Sequence, residues 1–473
     1  MEFIQSKRTH ITSDNSTPRM MKHLLIALMP IILFAIFKNG FIPYFKGYGT
    51  FFDAIYPLIF ILISVASSFV FEGLFAKLVL KEKSIKKYLL DSYALFPGLF
   101  LSLILPINTP ILVLIIGSFF ASIIGKMVFG GFGHNIFNPA LIGRLFVITI
   151  YGAFIASSGG YLNKYEVDTI SSPTPLTNKL EVSKIGTYDE LVRPYGDLSN
   201  FAVGSIPGAL GETSAVLCIL GLVYLSIKKI VKWRISVFYI GSVFISTLII
   251  GSINNVGIWY PLFEILSGGL FFGAVFMATD PVTSPVTKNG QILHGICLGI
   301  LTVVLRFLTP APEGVLTSIL AMNMVVPIID NISSRAKFNI KNFLISLVVT
   351  LVALIYLSCH ISFKIKNEVS TPVNKKYEIT KTREVGNTEI YTVTGKGYGG
   401  IITLDVSIVN KKVTKIEIIS HNETYLDMIE GQGYFDKIIN SQNDLENLDT
   451  VSGATISSKN IRNMVKYVLE ELG

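Results

Sequence analysis

The chain has 473 residues, 51% of them hydrophobic and only 15% charged, where an ordinary soluble domain carries about 25% charged residues. The formal net charge of +8 would suit nucleic acid. Its Lys and Arg residues instead collect in short loops between apolar runs, which excludes nucleic acid as the partner and points to the lipid bilayer. The three cysteines, Cys218, Cys297 and Cys359, are scattered without ligand spacing, so no metal site is expected and the chain alone has too few thiolates for an iron–sulfur cluster.

Residues 1–22 form a polar N-terminal tail. The apolar run that follows it lacks a small-residue cleavage site and reads as a first membrane helix rather than a cleavable signal peptide. Further candidate spans follow at once. The set is roughly 23–37, 54–80, 91–105, 109–129, 138–157, 208–227, 235–252, 261–278, 291–308, 313–329 and 342–363. The fold class expected is a polytopic α-helical membrane protein with about eleven transmembrane helices, followed by a C-terminal α+β domain. The membrane domain covers 23–341, with one long loop at 158–200. A single anchoring helix covers 342–363, and a domain of ordinary soluble composition covers 370–473.

Basic residues orient these spans. Lys7, Arg8, Arg19 and Lys22 lie in the tail, and Lys81, Lys83, Lys86 and Lys87 after the second span. Lys228, Lys229, Lys232 and Arg234 follow the sixth, and Arg335, Lys337 and Lys341 the tenth. All fall on one side of an eleven-span arrangement, which the positive-inside rule assigns to the cytoplasm of a cell (plasma) membrane. The N-terminus is then cytoplasmic, and the loop 158–200 and the C-terminal domain extracytoplasmic.

Ionisable residues within or beside spans are functional hypotheses, because charge in hydrocarbon is costly. Glu72 and Glu264 can equally lie at membrane interfaces. Glu212 and Asp280 sit in Gly- or Pro-interrupted segments, where broken helices expose backbone to ions or substrates, so both are candidates for an ion path. His134 and Asn135 read as turn and helix-capping residues at a cytoplasmic boundary.

Two segments share a pattern. Asp168-Thr-Ile-Ser171-Ser-Pro-Thr174 lies in the long loop, and Asp449-Thr-Val-Ser452-Gly453-Ala454-Thr455 lies near the C-terminus. Either can serve as a local turn or cap. After the second, Ile461, Met464, Val465, Val468, Leu469 and Leu472 recur at helical spacing, with Ser457 or Ser458 able to cap the helix. Thr455 therefore stands beside a helix N-terminus, where backbone N–H groups and the dipole favour a phosphate. Upstream, alternating runs at 401–409 and 413–420 around Asn410-Lys411 predict a hairpin. The string Gly395-Lys-Gly-Tyr-Gly-Gly is not a dinucleotide fingerprint, since no helix follows it.

The segment Asp449–Thr455 resembles the acceptor motif of the flavin transferase that joins FMN to threonine through a phosphodiester. With Gly395, Gly397, Tyr398, Gly399 and Gly400, the hairpin, and His421, Glu423 and Thr424, the C-terminal domain resembles the FMN-binding domain of the RnfG and NqrC proteins. Tyr425 to Gly433 departs from the apolar-glycine continuation usual there. The membrane half is similar to the RnfD and NqrB proteins. The motifs that carry this are Gly133-His-Asn-Ile-Phe-Asn-Pro-Ala140, Gly208-Ala-Leu-Gly-Glu-Thr-Ser214 and Ala278-Thr-Asp-Pro-Val-Thr-Ser-Pro285.

The resemblance implies covalent FMN on Thr455, within Asp449, Ser452, Gly453 and Ala454. It implies a second FMN on Thr174, with Asp168 and Ser171, although Ser172 and Pro173 replace the usual Gly and Ala. It also implies riboflavin in the membrane domain, and other membrane and iron–sulfur subunits as partners. The chain is then an electron relay of an Rnf- or Nqr-like complex, without catalytic residues of its own, coupled to Na⁺ or H⁺ movement. Two alternatives stand beside it. One is a flavin conduit to extracellular acceptors without pumping. The other is a channel-like solute transporter with an appended sensor domain, which would have no use for the threonine segments.

Overall fold

In the computed structural model, the described residues are 16–160, 174–182, 184–212, 214–309, 313–335, 340–370, 377–385, 388–396, 401–409, 412–421, 426–441, 445, 448, 451 and 455–471. The chain divides into two compact units, Met1–Ser362 and Phe363–Gly473.

Within the described residues, eight helices are long and apolar enough to cross a bilayer: Thr17–Phe45, Phe51–Leu78, Ile111–Phe129, Pro139–Ala156, Trp233–Ile253, Lys288–Leu308, Gly314–Ser334 and Phe343–Lys366. Two more, Leu95–Ile104 and Ala215–Ile227, are apolar but shorter, and a further pair, Trp259–Leu266 and Leu270–Met277, is bent by 63°. These correspond one for one to the eleven expected segments. Local chemistry starts several of them. Thr50 and Asp53 form a reciprocal capping box. Asn138 Oδ1 accepts from Ala140 N at 3.2 Å, and Thr287 Oγ1 from Gly290 N at 3.1 Å. Hydroxyls tie helices together inside the bundle, as where Ser64 Oγ donates to Gly98 O at 2.7 Å and Ser68 Oγ to Ala94 O at 2.8 Å. The helix Ile340–Ser370 exposes Leu344, Val348, Val349, Val352, Ile355 and Tyr356, an apolar face suited to lipid.

Three expected spans are interrupted, each for a local reason. The stretch 261–278 is not one helix, because the chain leaves helical geometry at Ser267-Gly268-Gly269, with Gly268 at φ +66°, a conformation that favours glycine. The stretch 208–227 becomes helical only at Ala215, after Pro207, Gly208 and Gly211. In the stretch 91–105 a short helix ends at Asp91 and the next covers only Leu95–Ile104, before Pro106. The last two interruptions satisfy each other, since Gly211 N donates to Leu103 O at 2.7 Å. Irregular backbone inside a bilayer needs such an internal partner. Just beyond the break in 261–278, Gly273–Met277 is a π-helical turn.

The second unit is built on a four-stranded antiparallel sheet in the order β1-β2-β3-β4: Tyr377–Val385, Thr388–Lys396, Ile401–Val409 and Lys412–His421. The expected hairpin is β3–β4; β1 and β2 carry no comparable sequence signal. The helix Thr455–Glu471 lays Ile461, Met464, Val465 and Val468, all 0% exposed, against a core that includes Val393, Leu404 and Val406. It begins at Thr455, earlier than a cap at Ser457 or Ser458 would place it. Ser458 instead turns back, its Oγ accepting from Val451 N at 3.1 Å. A Cβ added at Gly395 would lie 2.8 Å from Met464 Sδ and 2.9 Å from Tyr377 Cδ1, so glycine lets the helix close onto β2.

Candidate functional site

In the sheet domain, Thr455 is the first residue of a helix of 17 residues. Its hydroxyl-bearing position coincides with the positive end of the helix dipole, which suits a phosphate ester. His421 ends β4, paired with Ile402 of β3. Asp449, Ser452, Gly453, Ala454, Glu423 and Thr424 lie outside the described residues, as do Asp168 and Ser171 of the long loop.

Thr174 immediately precedes the helix Pro175–Val182 and caps it. Its Oγ1 accepts from Thr177 N at 3.2 Å and lies 2.8 Å from Thr177 Oγ1. An ester oxygen would still carry a lone pair for the backbone bond of this cap. Thr174 is 5% exposed. The same dipole argument therefore holds at both threonines.

The Thr174 helix is seated on the break of the bent pair. A Cβ added to Gly268 would lie 2.8 Å from Leu176 Cδ1. Asn178 Nδ2 donates to Glu190 O at 3.0 Å. Lys179 pairs with Glu264 Oε1, both side chains buried, and its Nζ sits 3.6 Å from the centre of the Phe307 ring. Arg306 completes the cluster. Its Nη1 donates to Glu264 O at 2.6 Å and Glu264 Oε2 at 3.1 Å, and its Nη2 to Ser267 O at 3.2 Å. Carbonyls released by the helix break thus find a buried guanidinium. Glu212 is close by, since a Cβ on Gly269 would meet its Cδ at 2.5 Å.

Asp280 belongs to a different place. Its Oδ1 accepts from Val282 N at 3.1 Å, and it lines a mostly apolar cavity of about 810 Å³ including its open mouth. Tyr93, Phe96, Phe132 and Phe276 supply aromatic walls; Asn135 and Asn138 join Asp280 as polar groups. The cavity joins the Gly133–Ala140 motif to the Ala278–Pro285 motif. The two ion-path candidates are therefore not brought together. Asn135 has the turn role expected of it, its Nδ2 donating to Phe137 O at 2.9 Å.

Glu72 and Glu264 are both buried inside the protein. Glu72 is 0% exposed; its Oε1 accepts from Lys126 Nζ at 2.6 Å and its Oε2 from Ser92 Oγ at 2.8 Å. Sequence reasoning weighs the acids and overlooks their partners, Lys126, Lys179 and Arg306, and the pair Arg144–Glu313 at 2.5 Å. Lys126, Arg144 and Arg306 stand inside apolar runs, and that is the available signal: a lone cation there requires an anion.

A family model described as NQR2, RnfD, RnfE matches residues 4–339, and one described as FMN-binding domain matches residues 397–470. The chain is 34% identical to the D subunit of the proton-translocating ferredoxin:NAD(+) oxidoreductase complex of Clostridium ljungdahlii, over 72% of this chain and 97% of that relative. It is 32% identical to the D subunit of the Na(+)-translocating ferredoxin:NAD(+) oxidoreductase complex of Acetobacterium woodii, over 71% and 95%. It is 36% identical to the B subunit of the Na(+)-translocating NADH-quinone reductase of Chromohalobacter salexigens, over 51% and 57%. The chain belongs to the NQR2, RnfD, RnfE family as a multi-pass membrane protein, and carries an FMN-binding domain at its C-terminus in the same polypeptide.

Proposed function

We propose that the chain is the flavin-carrying relay of an ion-translocating membrane oxidoreductase, with FMN joined by phosphodiester to Thr455 and to Thr174. The observation that carries this reading is the pairing of pattern and place. Two Asp-Thr-(Ile/Val)-Ser-x-x-Thr segments occur in one chain, and each threonine stands at the start of a helix. Flavin supplies one- and two-electron transfer, while the protein holds and tunes it. Attachment keeps the group on a water-facing surface that would otherwise lose it. The donor and acceptor lie on other subunits, membrane and iron–sulfur proteins among them, and a flavin transferase matures the chain. Na⁺ or H⁺ moves in step with the electrons, and Glu212 and Asp280 are the ion-path residues of this reading.

The lining of the cavity beside Asp280 supports riboflavin in the membrane domain. Its aromatic walls suit a flat heteroaromatic ring, and Asn135, Asn138 and Asp280 offer donors and acceptors to polar ring edges and hydroxyls. Domain boundaries follow the sequence: a cytoplasmic tail 1–22, a membrane domain 23–341 with the outside loop 158–200, an anchor 342–363, and an extracytoplasmic domain 370–473. Basic loops support this orientation in the plasma membrane. Asn440 is exposed. In a background lacking the three native cysteines, Asn440→Cys is expected to react with a membrane-impermeant maleimide on intact cells. Labelling only after lysis would place the Thr455 flavin inside.

The test of attachment is flavin fluorescence of the full chain in denaturing gels, after production with a flavin transferase. The double variant Thr174→Val/Thr455→Val is expected to be dark. A double variant as bright as the parent would sink the reading.

A further inference from the structure

The Thr174 hydroxyl is a poor target where it stands. It is 5% exposed and already bonded to the hydroxyl and amide of Thr177. Attachment forms a bond from Thr174 Oγ1 to the FMN phosphorus of a flavin adenine dinucleotide, breaks the pyrophosphate P–O bond, releases AMP and sheds the hydroxyl proton. The incoming phosphorus needs an open line to that oxygen. The helix Pro175–Val182, which Thr174 caps, is pressed onto the break of the bent pair by Leu176 against Gly268 and by the buried Lys179–Glu264 pair, and Thr174 is buried at its start. Arg306 holds Glu264 from the far side, so the carboxylate cannot follow the lysine outward. Tyr260 Oη, from the same half-helix as Glu264, donates to Lys184 O at 2.9 Å just past the Thr174 helix.

We propose that the Lys179–Glu264 pair is a latch on this acceptor: FMN is attached while Pro175–Val182 is lifted off the break, and closing the latch then fixes the flavin-bearing segment. The proposal rests on Thr174 being an acceptor. It makes Lys179 a positioning residue, since it does not touch the reacting oxygen. The latch explains how a threonine in a nearly buried cap can be modified without the bundle coming apart. Only an eight-residue helix has to move. It also gives the buried ammonium a role beyond packing, because a hydrophobic side chain of similar length cannot tie the helix to one carboxylate.

The test uses the full chain made without a transferase, purified in lipid nanodiscs, then treated with a flavin transferase, flavin adenine dinucleotide and Mg²⁺. Peptide mass spectrometry follows both sites over time, with Thr455 as an internal clock. In the parent chain, Thr174 is expected to lag Thr455 by at least about tenfold. Lys179→Met is expected to close most of that gap, Lys179→Arg to preserve it, and Leu176→Ala to narrow it without touching a charge. Equal rates in the parent, or a ratio unmoved by both Lys179→Met and Leu176→Ala, would overturn the latch. If Lys179→Met does not fold, Leu176→Ala decides alone. A parent chain co-produced with the transferase in cells separates the two ideas. An adduct on Thr174 there, with an unmoved ratio in nanodiscs, sinks only the latch. No adduct there removes the acceptor reading and the latch together.

Discussion

Thr174 and Thr455 begin helices that are held by opposite means. The helix after Thr455 has 17 residues and an apolar face of Ile461, Met464, Val465 and Val468 against a sheet. The helix after Thr174 has eight residues and buries a lysine against Glu264 and Phe307. In the proposed reading the shared pattern serves attachment, because a positive helix end favours a phosphate ester. Packing is left free to differ, and with it access and rigidity. The motif then locates an acceptor chemically, while its neighbours decide when it can react.

The largest expected effect separates the two acceptors outright. Intact-mass analysis of the parent, made with a transferase, is expected to show two FMN additions, and Thr455→Val or Thr174→Val one each. If the parent carries one addition, lost only in Thr455→Val, then Ser172-Pro173 has disabled the first site, and Ser172→Gly/Pro173→Ala is expected to restore it. Next in size is the charge cluster. Lys179→Met leaves a buried carboxylate without one of its cations, a change that costs about 3–5 kcal/mol in comparable pairs. The melting temperature of the membrane unit should fall, and adding Glu264→Gln should recover part of the loss. An unchanged melting temperature would mean that the pair is not buried as described.

Two glycines sharpen the contrast further. Gly395→Ala forces a methyl against Met464 and Tyr377 and is expected to destabilise the sheet domain by about 1–3 kcal/mol through overpacking. Gly268→Ala adds a left-handed backbone cost of about 1–3 kcal/mol and crowds Leu176, but should leave the sheet domain alone. Differential scanning with two resolved transitions would assign each loss, and a shift in the wrong transition would contradict the packing of that unit. The smallest effect is Thr177→Val. It removes a hydroxyl contact at 2.8 Å, worth about 1 kcal/mol, while keeping the backbone cap. It should alter the rate of attachment at Thr174 slightly and at Thr455 not at all.

Hydropathy makes the apolar helical segments legible, because a bilayer imposes its thickness on the chain. What it hides are the breaks. Ser267-Gly268-Gly269 interrupts an apolar run with small uncharged residues, so 261–278 reads as one span although the chain turns there. The hairpin β3–β4 is readable from strict alternation, whereas β1 and β2 carry charged residues such as Lys381, Arg383 and Glu389 and lack that regular apolar beat. The two threonines are visible as a repeat. The seat of the first is not, because Lys179, Glu264 and Arg306 are far apart in sequence and only the fold joins them. Gly395 stands out only as part of a glycine-rich string, but its reason lies in Met464, which approaches it from the last helix.

The sequence distance between Lys179 and Glu264, 85 residues, has a consequence in time. A ribosome adds roughly 5–20 residues per second, so about 4–17 s pass between the synthesis of the lysine and that of its carboxylate. During that interval the surface that Leu176 and Lys179 press against is not yet complete. Thr455 meets the reverse order, since every strand of its sheet is made before it. Occupancy of flavin at Thr174, but not at Thr455, is therefore expected to depend on translation speed. Slow codons between positions 179 and 264 should raise it, and fast ones should lower it.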